Sequence, residues 1–325
     1  MNLKSLWILV LACVATTLSA QKKPLDQSAY DGWKSIVSPK VSENGDWICY
    51  AITPQRGDAL LEFYNAGTKQ TTRIERGGSP AWFNNDTWAT FKIAVPFAKV
   101  RQAKIDKVKA DKMPKDTFAV MNLAEMKVVK LPGAKELKTS AKGALYAYTY
   151  EVTPVKDTTV KDSAAKGNKT PGKYDRLVVV DVRTGDSTVV DSVKNFTVAE
   201  NGRSVLYTRE ADSLKAVYVY TVDPKRGVLQ RELWSSKLGA VSPSLVLDRS
   251  GEQGAFLVTA DTVKHALYDL YYFSTTDLKP RQVADAQIIG LPGGYAVSRF
   301  GNLSFNHEGN RLQFGIAPKP KEVPK

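Results

Sequence analysis

Short runs that alternate apolar and polar residues, each entered through a tight polar turn, recur along this chain. The clearest copy is residues 198–209 (VAENGRSVLYTR). Related stretches stand at 41–51 (VSENGDWICYA), 247–260 (LDRSGEQGAFLVTA) and 305–316 (FNHEGNRLQFGI). Asn-Gly and similar pairs supply the positive φ that a twisted hairpin requires, and the alternation behind them turns one side of a strand toward a core. In the first unit, 35–76, the pattern predicts strands over 47–53, 60–65 and 71–74. The second opens at 79–83, turns at 84–86 and continues over 88–95, 118–122 and 127–131. The third turns at 141–143, with strands over 144–151, 176–182 and 187–190. The fourth is the clearest copy followed by 216–222 and 228–233, and the fifth holds 244–247, 255–260, 267–274 and 281–283. A sixth unit opens at 302–305, turns at 307–309 and runs through 311–316.

Three strands joined by turns make a meander, and a meander alone leaves an apolar face in water. The turn marks Gly45, Asn85, Gly143, Gly202, Gly251 and Gly309 lie between 40 and 59 residues apart, and two of the long gaps contain insertions. The underlying period of roughly 40–50 residues is that of propeller blades, which cover one another's faces. The expected fold is therefore all-β: a β-propeller with five fairly complete blades and the start of a sixth. A β-sandwich, the competing closure, predicts no such repeat.

The first insertion, 96–117, is lysine-rich. Phe97, Val100, Ile105 and Val108 predict one apolar face of a short helix that Pro114 ends. The second, 152–173 (VTPVKDTTVKDSAAKGNKTPGK), has almost no large apolar residue and reads as a mobile loop between two paired strands.

Of the 325 residues, 43% are hydrophobic and 24% charged, enough for a sizeable core. The net charge is +13, spread through turns and insertions instead of clustered beside stacking aromatics, so it reads as a soluble basic surface with no nucleic-acid partner. Residues 1–20 carry Lys4, an apolar run over 6–14 and small or polar residues to Ala20, the pattern of a cleaved signal peptide; the run is too short to span a bilayer. That predicts a periplasmic or secreted protein with no transmembrane segment in the mature chain. The alternative is a lipoprotein lipidated at Cys13. Without Cys13, Cys49 has no disulfide partner and reads as a small buried apolar residue. A polar segment over 21–34 brings Tyr30 and Trp33 toward the first unit, and 318–325 is a polar tail.

Self-contained chemistry is not evident. His265 and His307, the two histidines, read as edge or turn residues, and Asp223 and Asp248 as turn formers. The glycine-rich 290–294 (GLPGG) lacks the strand and helix of a phosphate loop and reads as a turn. There is no G-x-S-x-G, no H-E-x-x-H, no cysteine pair and no acidic calcium loop. No catalytic residue, cofactor or metal ligand is nominated, and the substrate-binding residues are unassigned.

Three stretches say more. Residues 22–55 (KKPLDQSAYDGWKSIVSPKVSENGDWICYAITPQ), the basic stretch 100–115 with MPKDT at 113–117, and 294–320 (GYAVSRFGNLSFNHEGNRLQFGIAPKP) resemble the amino-terminal β-propeller of large exported bacterial peptidases of the prolyl oligopeptidase family. The resemblance covers essentially the whole chain. It implies a seven- or eight-bladed propeller set over a carboxy-terminal α/β-hydrolase domain bearing serine, aspartate and histidine, with the propeller admitting peptides and excluding folded proteins. This chain lacks the hydrolase domain, and none of its positions matches a catalytic residue of the family. The resemblance thus implies the gating portion of a longer serine peptidase, inactive alone, whose peptide substrates are cleaved by the missing domain. The alternative is a stand-alone periplasmic binding or scaffold propeller similar to that of the Tol envelope system.

Overall fold

The computed structural model describes residues 30–154, 172–223, 227–263, 266–285, 288 and 290–320. The expected leader over 1–20 with Cys13, the second insertion's centre, His265 and the end of the tail lie outside them.

Five four-stranded antiparallel sheets follow one another, each with its strands in chain order. Blade 1 is β1 (Lys34–Val41), β2 (Trp47–Pro54), β3 (Leu60–Asn65) and β4 (Thr71–Glu75). Blade 2 is β5 (Gly77–Phe83), β6 (Trp88–Ile93), β7 (Thr117–Asn122) and β8 (Lys127–Leu131). Blade 3 is β9 (Ala134–Thr139), β10 (Leu145–Val152), β11 (Tyr174–Asp181) and β12 (Ser187–Val190). Blade 4 is β13 (Val193–Val198), β14 (Ser204–Ala211), β15 (Leu214–Asp223) and β16 (Gly227–Ser236), and blade 5 is β17 (Ala240–Leu247), β18 (Gln253–Thr259), β19 (Asp269–Ser274) and β20 (Arg281–Ala284). The sixth unit is one interrupted hairpin. Its strand β21 (Tyr295–Val297) pairs with β24 (Ile316–Pro318), and β22 (Ser304–Phe305) with β23 (Leu312–Gln313). Between the two ladders Gly301 meets Gly315 so closely that a Cβ on Gly301 would stand 2.4 Å from the Gly315 Cα.

The blades pack face to face in sequence, and this radial order makes the fold a β-propeller. Cys49, Leu61 and Phe63 of blade 1 meet Phe91 and Met121 of blade 2. Phe83 and Val120 meet Tyr146 of blade 3. Leu177 and Val179 meet Phe196 and Tyr207 of blade 4; Leu206 and Val219 meet Phe256 and Phe273 of blade 5; Leu257 and Leu270 meet Val297 and Leu303 of the sixth unit. Successive side chains of a strand point to opposite faces. On β14, accordingly, Val205 and Tyr207 join the core shared with blade 3 while Leu206 joins the one shared with blade 5. A sandwich would instead have one core between two sheets.

Blades 1, 3 and 4 contain a strand before the turn, β1, β9 and β13, that the alternation pattern did not show, whereas in blades 2 and 5 the pattern showed that strand in part, over 79–83 and 244–247. Register shifts interrupt β1 between Val37 and Lys40, β5 between Gly78 and Ala81, and β17 between Val241 and Leu245. A Ser-Pro pair stands in each, at 38–39, 79–80 and 242–243. A bulge leaves a residue out of the ladder, so proline's missing N–H breaks no pair there, but the period-two pattern is lost. Ser38 and Ser79 adopt left-handed φ of 52° and 53° at these points.

The first insertion differs from the sequence expectation. Helix α1 (Phe97–Ile105) ends well before Pro114, because Lys107 takes a left-handed φ of 52° and Val108 lies beyond the helix. None of its residues is buried. Tyr30 and Trp33 also stay exposed, packing edge to face on each other at 4.8 Å.

Two outcomes follow from this packing. A Cβ on Gly143 would stand 1.9 Å from the Asn201 carbonyl oxygen in the next blade's turn, whereas one on Gly78 meets nothing within 4 Å. In urea unfolding, Gly143→Ala loses about 1–3 kcal/mol, and Gly78→Ala stays within about 1 kcal/mol of the parent. Cys49 is fully buried, and burial pushes its thiol up to about 11. A colorimetric disulfide reagent therefore leaves it unlabelled in the native protein and labels it on unfolding.

Candidate functional site

Antiparallel order puts the turns between first and second strands at one end of every blade and the connections between second and third strands at the other. The two ends are chemically different.

At the turn end six hairpin loops converge. The Ser42, Ala199, Asp248 and Asn306 N–H groups donate to the carbonyls five residues on, at 2.9–3.0 Å. Gly45, Gly202, Gly251 and Gly309 supply the left-handed residue of each loop, with φ of 67–76°. The loop-opening side chain often closes a second bond: Leu145 N–H donates to Ser140 Oγ at 3.0 Å, Gln253 N–H to Asp248 Oδ1 at 3.2 Å, and Arg311 N–H to Asn306 Oδ1 at 2.9 Å. Asp248 is thus a turn former, and His307 is a turn residue of the sixth unit. The loops also bind one another. Lys142 pairs with Glu43 of the first turn and donates its N–H to the Glu200 carbonyl at 2.8 Å. Asn201 N–H donates to the Arg249 carbonyl at 3.1 Å. Arg249 forms an ion pair with Glu200 and touches the His307 ring. The Glu200 carboxylate raises the Arg249 pKa above its usual value, and Glu43 adds to the effect through space. The cations Lys142, Arg203 and Arg249 all have carboxylate partners here, so this end is a structural hub.

The other end carries the long excursions. The 94–116 connection joins β6 to β7, and 153–173 joins β10 to β11. Side chains pin their bases. The Phe97 N–H donates to Asp58 Oδ1 at 2.7 Å and the Val95 N–H to Asp116 Oδ1 at 3.1 Å. Lys135 bridges Glu151 and Asp175, and Lys173 pairs with Glu151. Between blades 3 and 4, Arg176 forks onto both carboxylate oxygens of Asp191, while Arg209 donates to the Asp191 carbonyl at 3.0 Å. The Arg176 guanidinium holds the Asp191 carboxyl below its usual range. Loops carried on a rigid scaffold are where binding residues concentrate, so this end is the candidate functional face. Sequence reasoning did not single out these paired residues, because the partners of each pair stand 15 to 40 residues apart in the chain. Residues 290–294 form a turn leading into β21, with left-handed Gly290 and Gly294. No group of three or more metal-ligating side chains occurs among the described residues, and no described helix is long and apolar enough to cross a membrane.

No family model and no curated protein matches the chain. Among solved structures it is similar to acylaminoacyl peptidase from Pyrococcus horikoshii, at 11% identity and a TM-score of 0.38 over 85% of this chain and 44% of that one. It is also similar to the β-propeller domain of the Trilobed protease from Pyrococcus furiosus, at 11% identity and a TM-score of 0.38 over 82% and 78%. TolB from Acinetobacter baumannii matches at 12% identity and a TM-score of 0.31 over 76% and 53%. This chain thus spans less than half the length of the Pyrococcus horikoshii peptidase. The propeller assignment stands on the sheets and interblade cores described above.

The Asp191 pair predicts a pH response. A carboxylate whose folded pKa lies below its usual 3.8 stabilises the fold above that pH, and the contribution is lost as pH falls through the lowered value. The partners are 30% and 44% exposed, so solvent screening holds it to about 1 kcal/mol or less. The melting-temperature gap between the parent and Asp191→Asn is steady from neutral pH to about 5 and closes below about 4.

Proposed function

We propose that this chain is the non-catalytic, substrate-admitting propeller of an exported serine peptidase of the prolyl oligopeptidase type. The observation that carries the reading is the state of β1. All eight of its residues are exposed, with Ile36 at 65% and Val41 at 62%, and none belongs to an interblade core. β5 and β17 hold buried positions against neighbouring blades. The exposed Ile36, Val37 and Val41 of that strand are a surface able to meet more protein. The resemblance of residues 22–55 and 294–320 to peptidase propellers supplies the kind of protein, and the pinned excursion at 94–116 supplies part of a rim able to screen what enters.

A stand-alone scaffold propeller is favoured by one observation, the hub that ties the first turn to the third and fifth. Peptide hydrolysis separates the two readings. The isolated chain is expected to cleave no chromogenic dipeptide. Joined to an α/β-hydrolase domain of the same peptidase family, it is expected to permit cleavage of short peptides and to protect a folded protein. Turnover by the isolated chain overturns the proposal, and so does equal cleavage of peptide and folded protein by the joined form.

A further inference from the structure

The loop-bearing end also holds a cleft between blade 5 and the sixth unit. Its centre is Arg299, carried in the interruption between β21 and β22. The guanidinium lies 5.6 Å from the Tyr268 ring centroid and 4.5 Å from that of Phe300, and one Nη donates to the Tyr268 hydroxyl at 3.2 Å. Tyr268 is buried and so forms a fixed wall, while Phe300 is 84% exposed. Arg299 has no carboxylate partner among the described residues, unlike the cations of the turn hub.

Two chambers meet at Arg299 and Tyr268. One, of about 150 Å³, is walled by apolar groups that include Leu267, Ala296, Val297, Phe300 and Pro318. The other, of about 310 Å³, is polar and includes Lys215, Lys237 and the single acidic residue Asp261. Lys215 donates to the Gly239 carbonyl at 2.6 Å, and Asp261 accepts from the Val263 N–H at 3.1 Å. The lining therefore holds three cations against one carboxylate. A planar guanidinium fixed between rings is pre-organised for forked recognition of a carboxylate. The apolar chamber is smaller than the roughly 300–1,000 Å³ of a typical ligand pocket, so it suits one side chain better than a whole cofactor.

We infer that this cleft binds the carboxyl terminus of a peptide whose last side chain is apolar. The terminal carboxylate meets Arg299, the last side chain enters the apolar chamber, and the preceding residues cross the polar one beside Lys215 and Lys237. The inference takes its ligand class from the peptide-admitting reading and its site from the cleft alone.

Fluorescence anisotropy on the whole chain tests it, with an amino-terminally labelled pentapeptide ending in leucine, as free acid and as amide. The free acid is expected to bind at least about tenfold more tightly. Arg299→Gln is expected to remove that preference, and Phe300→Ala to weaken the leucine peptide toward one ending in glycine. Arg231→Gln, outside the cleft, leaves both affinities unchanged. If Arg299→Gln loses its cooperative melt, Arg299→Lys replaces it, with the preference reduced but present. Equal affinity for acid and amide overturns the inference, as does a preference that survives Arg299→Gln. Displacement by inorganic phosphate at peptide-like concentrations marks a general anion site and overturns it too. Binding needs no hydrolase, so its failure is distinguishable from failure of the hydrolysis test.

Discussion

Double-sided burial of the middle strands is the constraint on which this structure depends. Leu206 on one face of β14 and Tyr207 on the other are both fully buried, in different cores. Each such side chain stabilises the fold by about 1.5–3 kcal/mol only when water is removed from it. A single four-stranded sheet has no means of covering both of its faces. Stacking blade on blade covers the faces between neighbouring blades and leaves one at each end of the stack; β17, inside the array, is packed, whereas β1 of the first blade is exposed along its whole length.

The same architecture divides labour between its ends. Short glycine-bearing loops leave the turn end compact, and its charges neutralise one another across blades. The connections at the opposite end are free to lengthen, because strands two and three stay paired whatever lies between them; β10 and β11 remain in register from Leu145 to Val152. Charge placed there is less completely consumed by the fold. Arg299, braced by rings instead of a carboxylate, is the clearest instance.

Turns and middle strands were legible in the sequence because both follow local rules. β3 and β8 match their expected bounds, as does β12, since an alternating run between two turn signals has few other ways to fold. The innermost strands were legible only in part: the runs 79–83 and 244–247 lie inside β5 and β17, β1 was hidden by the bulge at its Ser-Pro pair, and β9 and β13, which carry no such pair, were not read as strands. The helix length was misjudged because Lys107, a residue with no special turn chemistry, ends it in place of Pro114. Arg299 and Tyr268 are 31 residues apart and meet only through the packing of the sixth unit on blade 5. No local pattern announces such a pair.

The hub changes how the array responds to damage. A stack in which each blade touches only its neighbours behaves as a one-dimensional chain, able to fray inward from its ends. Glu43 breaks that simplicity, since its carboxylate pairs with Lys142 two blades away, and the Lys142 N–H in turn donates to the Glu200 carbonyl. Those contacts bypass the second blade and add a longer-range term to the array's cooperativity. Loosening the first blade at its turn is therefore felt in the third before the intervening cores have opened.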